Sequence, residues 1–61
     1  MLSTELRSYL DELGWSQARL AREVEVHPNT VGSWLSGLAR VPGAVGKYLA
    51  LRVDLRRLVE R

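Results

Sequence analysis

The chain has no cysteine, which excludes disulfides and thiolate metal sites. A single histidine, His27, cannot build a metal cage, so neither metal nor cofactor is expected. No apolar run approaches the ~18 residues of a membrane span, and no secretory signal opens the sequence. The chain is therefore expected to be cytoplasmic, soluble and complete, with no membrane partner. No stretch alternates with period two, so strands are not expected. Acidic residues are missing from Val26 to Val53, where Arg40, Lys47 and Arg52 stand alone.

That gap shapes the charge distribution. Residues 1–25 set Arg7, Arg19 and Arg22 against Glu5, Asp11, Glu12, Glu23 and Glu25, a net of −2. The middle carries +3. The last eight residues carry +1, from Arg56, Arg57 and Arg61 against Asp54 and Glu60. An acid-free middle keeps a surface clear for an anionic partner.

Sixty-one residues, 46% of them hydrophobic, make one small domain over 1–61. So small a core gains from self-association. Helical signals recur along its length. Ser3 or Thr4 can cap a first helix with Leu6, Leu10 and Leu13 on one face, and Gly14 can end it. Ser16 suits the N-cap of a second helix, Gln17 to about Glu23, with Leu20, Ala21 and Val24 inward. Pro28 fits the first turn of a third helix, which Gly37 ends. Pro42 opens a fourth, with Val45, Tyr48 and Leu49 inward. The pattern continues through Leu55, Leu58 and Val59, as one bent helix or two. Gly43 and Gly46 suit close helix packing. Trp15 and Trp34 read as core or core-edge residues, and most of the arginines as solvated.

The third helix carries two stripes. Val31, Trp34, Leu35 and Leu38 are apolar at helical spacing. Asn29, Gly32, Ser33 and Ser36 share another side, and all are small or hydrogen-bonding. A solvated face would favour Glu, Lys, Gln or Ala, and glycine in mid-helix costs about 1 kcal/mol against alanine. Such a face suits very close approach to base-pair edges in a major groove. Asparagine can pair bidentately with adenine, and serine or threonine can bond several bases.

Residues 16–37, SQARLAREVEVHPNTVGSWLSG, resemble the helix-turn-helix of the Cro and lambda-repressor-like family. The likeness rests on Gln17, Leu20-Ala21, Val26 after the turn, Thr30-Val31, Trp34 and Gly37. The resemblance implies an all-α, four- to five-helix DNA-binding domain. Two positions depart from it. Glu25 stands where the turn often has glycine, and must adopt that turn's backbone or shift it. Leu35 stands where relatives often carry a glutamate, and Leu10 would be its apolar counterpart.

The resemblance also implies roles. Pro28, Asn29, Thr30 and Ser33 would reach base edges or nearby phosphates. Gln17 and Arg40 would contact the DNA backbone, as would Ser36 and His27. His27 also suits a turn residue bonding its own backbone. The chain would then be a sequence-specific repressor of bacterial or phage origin. It would bind a palindromic double-stranded operator as a homodimer and control its own operon, without a small-molecule ligand. The region 42–61 would join the dimer through Leu51, Leu55, Leu58 and Val59, unless this tail folds back on its own domain. The first three helices could close a core without it. The other reading is an antitoxin-like protein-interaction module. Catalysis is not expected: adjacent Asp11 and Glu12 point apart on a helix, and the one histidine precedes a proline.

Overall fold

The computed structural model describes residues 1–60 and holds four helices. They are α1 (Ser3–Leu13), α2 (Gln17–Glu23), α3 (Pro28–Ser36) and α4 (Gly43–Val59). No strand occurs among the described residues, and the fold is all-α as expected. Arg61, read as solvated, lies outside the described residues.

Most helix ends follow local chemistry. The Ser16 hydroxyl accepts the Arg19 N–H at 3.1 Å and caps α2. Gly14 and Gly37 end α1 and α3 in the left-handed region, at φ 70° and 82°. The starts of α1 and α4 lack a side-chain cap, Pro42 standing at the second. Leu2 is the N-cap of α1, and no side chain bonds there. Ser3 and Thr4 already lie inside the first turn, so neither makes the expected cap.

The turn between α2 and α3 uses Glu25 in a left-handed conformation, φ 57°. The Val26 N–H then reaches back to the Ala21 carbonyl at 2.9 Å. This is the closing bond that a glycine usually permits. Glu25 therefore adopts the turn's backbone without shifting it.

Residues 43–59 form one helix. Val45, Leu49 and Val53 of α4, together with Val41, join Leu6, Leu10, Leu13, Leu20, Ala21, Val31 and Trp34 in one buried cluster. The expected core of α1 to α3 alone is thus corrected. Leu6, Leu20, Val31 and Leu49 are all fully buried, so α4 completes the core. Leu10 belongs to this cluster, and Leu35 packs against it. Leu38 does not belong to the apolar stripe, because the chain turns at Gly37 and leaves it 85% exposed. At Gly46 a Cβ would meet the Met1 side chain, with Cε at 3.0 Å, and not a neighbouring helix, so the expected close helix packing is not found there. Gly43 faces open space and shows none either.

Trp15 ties α4 to α2. The guanidinium of Arg19 lies 4.9 Å from its ring centroid, and that of Arg52 lies 5.3 Å away. Tyr48 packs beside it at 6.4 Å between centroids. Arg19 also donates to Glu23 at 2.8 Å, so it is not simply solvated. Arg57 is likewise engaged, pairing with Glu12 of α1 at 2.7 Å. Its guanidinium pKa is raised by that hydrogen bond and by the carboxylate's charge. Arg56 pairs with Glu60 one turn on.

Candidate nucleic-acid interface

Helices α2 and α3 pack closely, and the seam explains Gly32. The Gln17 side chain crosses from the first residue of α2 and donates from Nε2 to the Pro28 carbonyl at 2.8 Å. A Cβ on residue 32 would stand 3.0 Å from that nitrogen. The missing side chain therefore makes room for Gln17, where the sequence suggested room for DNA. The bond fixes the start of α3 against the start of α2. It leaves Gln17 one further amide proton to donate.

The first turn of α3 is internally satisfied. His27 caps it, with Nδ1 accepting the Asn29 N–H at 3.0 Å, as its reading as a turn residue implied. Accepting at Nδ1 leaves the Nε2–H as a donor. The Thr30 N–H bonds the His27 carbonyl at 2.9 Å, and Pro28 has no N–H. The helix start thus presents side chains rather than bare amides.

Those side chains form one outward face. Pro28, Asn29 and Ser36 are exposed, and Thr30 and Ser33 are half-buried. The Ser33 and Ser36 hydroxyls donate to the Asn29 and Ser33 carbonyls, each at 3.2 Å. Their oxygens remain able to accept. The Asn29 amide makes no side-chain bond among the described residues, so its donor and acceptor pair is free. Arg40 is exposed in the loop after α3, beside Gly37 and the N-terminal residues Met1 to Ser3.

Electrostatics keep the face clear. Glu23 is held by Arg19 and receives the Tyr48 hydroxyl at 3.2 Å. Its carboxyl is held below the ordinary glutamate value by the Arg19 hydrogen bond, with Tyr48 adding to this and partial burial opposing it. Glu25 is the acid left exposed in the turn. Sequence reasoning missed the Gln17–Gly32 fit and the Glu23–Tyr48 link. Both join separate elements, and spacing along one helix carries no signal for them.

The C-terminal residues expected at an interface are all outward. Leu51, Leu55 and Leu58 are more than half exposed, and Val59 is 84% exposed. Arg52, Leu55, Arg56 and Val59 line a shallow groove with Leu13 and Trp15.

A family model described as Helix-turn-helix matches residues 6–45, about two thirds of the chain. The chain belongs to the helix-turn-helix family. It is a DNA-binding transcription regulator of the Cro and lambda-repressor-like type. The matched span covers α2, the turn and α3, with most of α1 before them and the first residues of α4 after. No curated protein and no solved structure matches the chain. No helix of this helix-turn-helix protein is long and apolar enough to cross a membrane, among the described residues.

Proposed function

We propose that the protein is a transcriptional repressor that lays α3 in the major groove of a palindromic operator, as a homodimer. Asn29, Thr30, Ser33 and Pro28 meet the bases. Gln17, Arg40, Ser36 and His27 hold the phosphates. The carrying observation is the uncharged outward face of α3, with Asn29 unpaired at its start. That face offers hydrogen-bonding groups short enough for base edges, and no acid stands between Val26 and Val53 to repel phosphate. Residues 1–61 act as one DNA-binding domain, with 42–61 joining two copies. Occupying an operator that overlaps a promoter suffices to repress, and its own operon is the simplest target. It would act in the cytoplasm of a bacterial host, on that genome or a phage's.

Operator sites selected from a random DNA pool provide the test. Asn29→Ala is expected to cost about 1–3 kcal/mol on the selected site and to relax preference at one base pair. Its thermal unfolding should match wild type, because Asn29 lies off the buried stripe. Arg40→Ala is expected to weaken selected and random DNA alike, and to lower the salt slope by about one unit. Undiminished binding by Asn29→Ala would overturn the assignment of α3, and a loss confined to the selected site would make Arg40 a base reader.

A further inference from the structure

The outward face of α4 has a pattern of its own. Ala44, Tyr48, Leu51, Leu55 and Leu58 alternate at spacings of four and three. That is the seam of a heptad repeat running the length of the helix. Tyr48 is half-buried at the edge of this stripe, and the other four are exposed. Lys47 and Asp54, both exposed, occupy the same flanking position one heptad apart. Arg52 flanks the opposite side.

Flanking charges choose among the ways in which two such helices can pair. In a parallel pair, a residue flanking the seam faces the partner residue five positions on, from the opposite flank. Lys47 would then face the partner's Arg52, like against like. In an antiparallel pair, equivalent flanks face each other. Lys47 then meets the partner's Asp54, and Asp54 the partner's Lys47. Sliding that pair by one heptad would set Asp54 against Asp54 and Arg52 against Arg52. Of these three arrangements, the unshifted antiparallel pair alone leaves no like-charged contact across the seam.

We infer that two copies join through antiparallel α4 helices, with Tyr48 against the partner's Leu51 and Ala44 against the partner's Leu55. This deepens the homodimer reading above and rests on it. The small Ala44 leaves space for leucine. Leu58 and Val59 then run past the first turn of the partner's α4, towards the loop that exposes Leu38. Opposed helix dipoles favour the same direction.

The absence of cysteine makes the test clean. Ala44→Cys and Leu55→Cys variants of the full chain, one carrying a size tag, are mixed and mildly oxidised. The expected product is a disulfide between the two variants, at least tenfold above either variant joined to itself. Self-joined products would show a parallel pair, so the dimer would stand and this arrangement fall. A mixture that sediments as a dimer without cross-linking would also overturn the arrangement. Monomers at all concentrations, for wild type too, would overturn the homodimer reading itself. Charge reversal gives an independent readout. Lys47→Asp or Asp54→Lys alone should weaken dimerisation severalfold, and the two together should restore it. Singles without effect, or a double variant that is weaker still, would remove the argument from charge.

Discussion

Glu25 concentrates the local cost of this fold. A left-handed backbone costs a side-chain-bearing residue roughly 1–2 kcal/mol, and glycine nearly escapes it. Among the described residues no side chain pairs with the exposed Glu25 carboxylate to repay it. Glu25→Gly is therefore expected to stabilise the protein by about 0.5–1 kcal/mol, after allowing for glycine's greater freedom when unfolded. Urea unfolding should show a higher midpoint at unchanged slope; a lower midpoint would mean that the glutamate serves the fold. The strain at this position was legible in the sequence, because the family resemblance fixed where the turn falls. So were Gly14, Ser16, Pro28 and Gly37, whose roles depend on neighbours along the chain. Gly32 was not. Its vacancy serves a side chain fifteen residues earlier, and nothing in the α3 stripe reveals Gln17 overhead.

At the scale of elements, α4 is held by apolar packing and by polar contacts, the Arg57–Glu12 pair to α1 among them. Val45, Leu49 and Val53 enter the core, and Tyr48 and Arg52 reach α2 through Glu23 and Trp15. The sequence showed the helical period and the inward Val45 and Leu49. It could not show that the core needs them, because the apolar residues of α1 to α3 look sufficient until the packing is seen. The Glu23 link responds to acid. Its carboxyl titrates below the ordinary glutamate value when folded, so its contribution is complete above the unfolded value and is lost as pH falls through the folded one. Wild type should lose stability across that acidic window. Glu23→Gln should start lower at neutral pH and fall less steeply, as urea midpoints measured at a series of pH values would show. Parallel pH curves for the two proteins would exclude this carboxyl as a contributor.

For the whole molecule, the division of labour between surfaces is the lesson. One face presents short polar groups, and α4 presents leucines. Both were legible as stripes, because residues that share a helix face recur at the helical period. One recognition helix reads only a few base pairs, too few against a genome's competing sites. The proposed pair of copies would set half-sites about 34 Å apart and multiply the discrimination. Leu55→Glu with Leu58→Glu is expected to give a folded monomer, because both residues lie outside the buried cluster. Sedimentation should confirm the monomer, with operator affinity lowered by roughly tenfold or more. Retained dimers, or full affinity as a monomer, would mean that the leucines have another partner.

The two tryptophans give this small protein separate optical reporters. Trp34 is sealed in the core at 4% exposure, while Trp15 is half-buried between two guanidinium groups and Tyr48. Emission from Trp34 follows the packing of α3 on the leucines. Emission from Trp15 follows the docking of α4, since Arg52 and Tyr48 both arrive from that helix. Single-tryptophan versions can therefore distinguish a chain that melts all at once from one whose last helix lifts away first.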